Sequence, residues 1–217
     1  QSDKFFGYYY LNGIHSLQKS LNDAGVDFND ITDVVLTHLH FDHCGGSVKW
    51  NTMKDDYQLT FPNAKYWVHP THWEHAINPN PREKASFLTE NMLPIQEMGH
   101  LDFIGEDLKI SENISGILAQ GHTESMYCPK INVNGETLVF MADMIPSIGH
   151  IKPNYVMGYD IRPLDTMRER KAFLKEAVAN DYTLYFEHDL NIECGKVIHT
   201  DRGYKLGDAG KLSDFFK

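Results

Sequence analysis

The chain reads as an α+β protein, and three patterns predict it. Short apolar runs rich in β-branched residues recur from residue 31 onward, and residues 168–180 repeat their apolar positions at helical spacing. Pro, Gly and Asn separate the two kinds of segment. An aromatic stretch, Phe5, Phe6, Tyr8, Tyr9 and Tyr10, precedes Ile14, Leu17 and Leu21, whose spacing predicts a short helix ending near Gly25.

Ile31 to Thr37 has the composition of a buried strand and runs directly into His38. Residues 45–59 show neither period, so an irregular or helical segment is expected there. Ala64 to His69 predicts a second strand stopped by Pro70. Residues 71–97 turn helical in two pieces around Asn78-Pro79-Asn80-Pro81, read first as ordinary helices with one face in the core, with an excursion covering a pocket as the alternative. Strands are then expected over 108–110, 114–118, 127–133 and 137–141, with Asn134-Gly135 as a hairpin turn. The 168–180 helix turns Phe173, Leu174, Ala177 and Val178 inward, and Thr183 to Phe186 forms a strand leading to His188.

With 217 residues, 41% of them hydrophobic, the chain fits one globular domain spanning 1–217. No apolar run reaches the roughly 18 residues that cross a bilayer. A net charge of −10 without a basic patch argues against nucleic-acid and anionic-membrane partners. Three cysteines without a CxxC pair suggest neither a disulfide framework nor a cysteine zinc site, and they fit a reducing, cytoplasmic setting. The start at Gln1, without an initiator Met, reads as a processed or truncated product.

The 12 histidines are the feature that points to chemistry. Thr37-His38-Leu39-His40-Phe41-Asp42-His43-Cys44-Gly45-Gly46 places three imidazoles and a carboxylate within six positions at a strand end. Histidines so crowded would each need a hydrogen-bond partner and would repel when protonated, whereas one or two divalent cations satisfy their ring nitrogens together. His69, His72 and His75 recur every third residue, and Pro70 between them favours surface or rim positions over a second metal site. His15, His100 and His199 belong to no constellation.

The segment THLHFDHCGG resembles the HxHxDH signature of the metallo-β-lactamase superfamily of metal-dependent hydrolases. The resemblance implies three more ligands in order, a His, an Asp and a His, each after a strand, and the chain offers His122, Asp143 and His188. By that pattern one metal is held by His38, His40 and His122, and the other by Asp42, His43 and His188, with Asp143 bridging. It also implies a four-layer αββα sandwich whose first strands have no counterpart ahead of Gln1. Two cations about 3.5–4 Å apart can supply a bridging hydroxide near neutral pH and polarise a carbonyl or phosphoryl oxygen. The resemblance further implies Asp42 beside that hydroxide as a proton shuttle, with a ligand role alone as the alternative, and Asp143 in the reacting centre. The nitrogen-rich ligand set favours two Zn²⁺ ions, with Mn, Fe or Co as alternatives.

DMIPSIGHI, VMGYDIRPLDTMRERKAFL and YFEHD resemble a branch containing quorum-quenching lactonases and methyl-parathion-hydrolase-like enzymes. That branch implies a lactone or small ester substrate. A phosphotriesterase, a β-lactamase or a diiron redox protein stand as alternatives on the same scaffold. Some lactonases carry Tyr three positions after the bridging Asp, where this chain has Pro146, so Tyr159 or another tyrosine is the candidate substitute. His150 is a second candidate substrate contact, with a buried structural role equally open. Phe5, Phe6, Tyr8, Tyr9, Tyr10, Trp67, Trp73 and Phe87 are candidates for an apolar pocket lining, or for core.

Overall fold

In the computed structural model residues 3–10, 12–14 and 16–216 are described; Gln1 and His15 lie outside them. The strands are β1 (Asp33–Val35), β2 (Val48–Trp50), β3 (Tyr57–Leu59), β4 (Lys65–Val68), β5 (Leu101–Phe103), β6 (Ile114–Ala119), β7 (Met126–Val133), β8 (Glu136–Phe140), β9 (Thr183–Tyr185), β10 (Cys194–Thr200) and β11 (Gly203–Gly210). The α-helices are α1 (Asp3–Gly7), α2 (Leu17–Asp23), α3 (Phe41–Cys44), α4 (Pro70–Ile77), α5 (Thr89–Glu97), α6 (Pro163–Ala179) and α7 (Leu212–Phe215).

A parallel sheet runs in the order β1-β4-β5, and a six-stranded sheet in the order β11-β10-β9-β8-β7-β6. The β-branched segment after Ile31 forms β1, and its pairing extends beyond the strand through the Leu36 N–H bond to the Trp67 carbonyl, 2.9 Å. Helices α4 and α5 cover this sheet, burying Tyr66, Val68, Trp73, Met92 and Ile95 in one core. Helix α6 covers the second sheet around Val139, Leu184, Phe173, Leu174 and Ala177. Each fully buried large apolar side chain contributes about 1.5–3 kcal/mol. The Tyr127 N–H donates to the Thr37 carbonyl at 2.8 Å and ties β7 to the segment leaving β1. Helices outside two sheets give the αββα arrangement that the resemblance implied.

Several expectations need correction. Residues 45–59 are neither irregular nor helical throughout: they contain the β2–β3 hairpin, held by the stacked Trp50 and Tyr57 rings, 4.4 Å apart. Three-residue strands are too short to show a period, so the cross-strand aromatic pair fixes them. The 108–110 strand does not form, because Leu108 adopts φ 55 and only Lys109 bridges to Ser115. Helix α6 starts five residues before the expected 168, with Pro163 in its first turn, where a missing N–H costs nothing. Strands β10 and β11 had no sequence signal, since Gly195, Gly203, Gly207 and Gly210 and a register shift between Gly195 and Val197 interrupt their alternation. The Asn134-Gly135 turn does form, with both residues at positive φ, 54 and 90.

The sheets set the position of the chemistry. β8 and β9 are parallel neighbours, and β6 runs the same way because β7 is antiparallel to both β6 and β8. His122 lies three residues past Ala119, the end of β6; Asp143 three past Phe140, the end of β8; and His188 three past Tyr185, the end of β9. His38 stands at the same offset past Val35, the end of β1. Four candidate ligands therefore leave their strands at equal reach.

Gly121 supports this convergence through close approach. A Cβ there would lie 2.3 Å from the Thr166 backbone nitrogen in α6. Gly121→Ala must push the His122 loop away from α6, and a loss of about 1–3 kcal/mol is expected in urea unfolding; an unchanged midpoint would contradict this packing.

Candidate metal centre

The loop after β1 carries His38 and then His40, in extended backbone, and turns into α3, whose first residues carry Asp42 and His43. His38, His40, His122 and Asp143 present ligand atoms all within 4.8 Å of one another, and all four are buried. A second group at the same spacing consists of His43, Asp143, Glu187 and His188. Asp143 belongs to both groups.

Its carboxylate faces four imidazoles. Oδ2 lies 3.0 Å from His122 Nε2, 3.4 Å from His43 Nε2 and 3.8 Å from His38 Nε2, while Oδ1 lies 3.3 Å from His188 Nε2. His40 Nδ1 is 3.2 Å from His122 Nε2, and the Nε2 atoms of His43 and His188 are 3.3 Å apart. Asp42 sits at the rim, half exposed, with Oδ2 3.6 Å from His43 Nε2. The structure thus brings together His38, His40, His43, His122, Asp143 and His188, with Asp42 alongside. His38 Nε2 and Asp143 Oδ1 are buried and make no hydrogen bond. Two ring nitrogens 3.3 Å apart, orphaned buried atoms and a shared carboxylate are what cation coordination resolves, so the donor set fits two metal ions.

The outward side of these rings is also organised, which the sequence did not reveal. Asp160 Oδ1 lies 3.1 Å from His122 Nδ1 and its Oδ2 accepts the Met157 N–H. Glu83 Oε1 is 3.5 Å from His40 Nε2 and accepts the Thr123 hydroxyl at 2.6 Å, and its Oε2 meets His75 Nε2 at 2.7 Å. Glu187 Oε1 is 3.2 Å from His43 Nδ1. Glu187 thus lies on the far side of His43, whose Nε2 is the atom turned to Asp143 and His188. Carboxylates behind imidazoles fix the tautomer and raise ligand basicity. Their sequence signal was only three acids scattered at 83, 160 and 187, two of them buried.

Electrostatics follow the geometry. Burial holds His38 well below the ordinary imidazole range, with His43, His40 and His122 adding repulsion. Burial lowers His40 as well. For His43 burial is outweighed by Asp143 and Glu187, which lift it to about 10, and for His122 by Asp143 and Asp160, which lift it to about 9. Asp143 raises His188. Burial disfavours a charged Asp143, yet His122, His188 and His43 hold it far below the usual carboxylate range.

Backbone strain and anchoring accompany the ligands. Ala142, fully buried beside Asp143, sits at φ 44, a conformation unfavourable for a residue with a Cβ. Glu169 of α6 accepts the Gln120 and Gly121 N–H groups at 2.8 and 3.0 Å, and the His188 N–H donates to the Pro146 carbonyl at 3.0 Å.

The family model described as the metallo-beta-lactamase superfamily matches residues 11–188. The chain belongs to that superfamily, a group of metal-dependent hydrolases. Its fold is similar to a probable metal-dependent hydrolase from Staphylococcus aureus, with 24% identity, a TM-score of 0.83, and coverage of 96% of this chain and 72% of that one. It is also similar to AidC, a dizinc quorum-quenching lactonase in complex with a product, at 23% identity and a TM-score of 0.77, covering 90% of this chain and 70% of the other. A third, the hydrolase AbOPH of the beta lactamase superfamily, shares 21% identity with a TM-score of 0.74, over 91% of this chain and 70% of that one.

In this superfamily member a cleft of about 520 Å³ opens over the cluster, lined by Tyr9, His40, Asp42, Arg82, Asp143 and Tyr159 among others. Tyr159 therefore faces the site, whereas His150 is not among the lining residues and its Nδ1 is 2.8 Å from the Ser147 hydroxyl. Of the aromatics proposed as pocket lining, Tyr9 reaches the cleft; Trp73 is core, Phe87 is buried against His40, and Trp67 donates to Asp33. The expectation of surface or rim positions fails for His72, which is fully buried inside α4. Pro70 starts α4 rather than breaking it, so the helix carries His72 inward. Burial pushes the His72 pKa down to about 3.

Because His43 and His122 hold protons in the neutral range, cation binding must release them, so affinity should fall as pH falls. Calorimetric zinc titrations in buffers of different ionisation heat should show that release, and buffer-independent heats would contradict it. Asp160→Asn should weaken binding of one cation by about 10–100-fold in a chelator competition.

Proposed function

We propose that the chain is a dinuclear metal hydrolase that opens lactones or related small esters. The observation that carries this reading is the shared, buried Asp143 between two ligand groups, under a cleft with both polar and aromatic walls. In this reading His38, His40 and His122 hold one cation, Asp42, His43 and His188 hold the other, and Asp143 bridges them. Zinc is the metal proposed, supported by the imidazole-rich donor set and by the description of AidC as dizinc.

Bound cations would supply a water of lowered pKa and an electrophile for the substrate carbonyl. The chain's own residues do the rest. Asp143 and the five histidines hold their donor atoms converged, and the buried Asp160 carboxylate keeps the His122 ring turned inward. Asp42, at the rim with one face to the cleft, is placed to carry a proton from the centre to the departing alkoxide. Tyr159, largely exposed over the cleft, is placed to contact the ring oxygen or carbonyl of a substrate. Tyr9, packed 5.4 Å from Phe41, offers an apolar face for an acyl or alkyl substituent. The lactone class is supported by two kinds of similarity: the DMIPSIGHI and YFEHD segments, and the fold shared with AidC.

The test is turnover of a panel containing acyl-homoserine lactones, aryl esters, phosphotriesters and β-lactams, before and after chelation and zinc return. Lactone opening should dominate, vanish on chelation and recover with zinc. Asp143→Ala should lower kcat by about 10²–10³-fold, the range for removing a key stabilising group, while the far-ultraviolet circular dichroism stays native. Preferential turnover of phosphotriesters or β-lactams would overturn the substrate class. No turnover of any member by the zinc-loaded chain would overturn the hydrolase reading.

A further inference from the structure

We infer that His72 is a positioning residue: it locks the loop carrying His38 and His40 to the loop following His122, and thereby sets the spacing of one cation's ligands. This role rests on the metal-centre reading above and adds to it a residue outside the ligand set.

The donors and acceptors around the ring fix its state. The Leu39 backbone N–H, between His38 and His40, donates to His72 Nε2 at 2.8 Å. A backbone N–H can only donate, so Nε2 must carry the lone pair. The other ring nitrogen, Nδ1, faces the Glu124 carbonyl at 2.5 Å, and a carbonyl can only accept, so Nδ1 must carry the proton. One neutral tautomer satisfies both bonds; a protonated ring or the other tautomer breaks the bond to Leu39.

These two bonds join different parts of the same candidate site. Leu39 separates two histidines of one ligand group, and Glu124 lies two residues after the third. His72 is completely buried, so loss of either bond leaves a polar backbone group unsatisfied or shifts a loop. It sits in α4, which packs with the three-stranded sheet, and its ring centre is 6.2 Å from that of His38, close enough to support it without competing for the cation. Phe87 continues the support: its ring lies 5.9 Å from His72 and 4.8 Å from His40. Ser125 at φ 52 beside Glu124 indicates that the second loop is held in a conformation it would not adopt freely. A histidine that only filled core volume would not need both nitrogens engaged with the two ligand loops.

Side-chain length separates this role from simple packing. Gln at position 72 can set its carbonyl oxygen near the place of Nε2 and accept the Leu39 N–H. Asn reaches only as far as Nδ1 and can keep the Glu124 bond alone. The experiment titrates metal-free wild type, His72→Gln and His72→Asn with cobalt(II), reading stoichiometry and visible ligand-field bands, with urea unfolding of each metal-free protein alongside. In wild type, a scalar coupling across the hydrogen bond between the Leu39 amide nitrogen and His72 Nε2 should be detectable by NMR. In His72→Asn one of two cobalt ions should bind about 10–100-fold more weakly, with its band altered, while the other is unaffected. His72→Gln should recover most of that affinity.

Equal cobalt affinity in wild type and His72→Asn would overturn the inference, as would equal losses in both variants that track their losses of stability. Absence of the coupling in wild type would overturn it without reliance on either variant. A wild-type chain that takes up no cobalt would instead remove the metal-centre reading, and the inference with it.

Discussion

An ionised carboxylate surrounded by imidazoles is the constraint on which the rest of this structure depends. Asp143 is nearly buried, and an unpaired buried charge costs several kcal/mol. Imidazole nitrogens from four directions face it, and two of the rings also face carboxylates on their outer side. The protein's own groups therefore form an unstable balance of positive and negative charge, in which ring nitrogens approach one another within hydrogen-bond distance. Divalent cations at the two candidate ligand groups would turn that balance into coordination. The strained Ala142 beside Asp143 belongs to the same picture, because a strained φ persists only where surrounding contacts over-determine it.

The sheets make this convergence possible. Three strand ends in the six-stranded sheet point the same way and release His122, Asp143 and His188 at the same offset, and β1 from the other sheet releases His38 at that offset too. Rigid strands fix the starting points, and short loops then need only small adjustments. Those adjustments come from the helices: Glu169 of α6 holds the loop before His122, and His72 of α4 ties the Leu39 and Glu124 backbones. Helices α4 and α6 thus each have a second use besides shielding a core.

The candidate cluster was legible in sequence because its first part is local and the family resemblance implied the rest. Three histidines and an aspartate within six residues at a strand end fit little besides metal coordination, and the later His122, Asp143 and His188 each follow a recognisable strand. Strands that alternate or carry an Asn-Gly turn were legible because their signal is local too. The β2–β3 hairpin and β10–β11 were not, since their pairing depends on aromatic stacking and on glycine-rich segments without a period. Glu83 and Asp160 escaped notice because an acidic residue in a polar loop looks solvated until folding buries it beside a histidine. His72 was misplaced because its neighbour Pro70 suggests a break, whereas at the first turn of α4 it begins a helix.

X-ray absorption at the zinc edge of the fully loaded chain tests the shared-carboxylate centre most directly. Two zinc ions per chain are expected, with shells of nitrogen and oxygen, strong imidazole outer scattering, and a zinc–zinc vector of about 3.5–4 Å. A single zinc ion, or a spectrum with sulfur ligands and no metal–metal scattering, would contradict it.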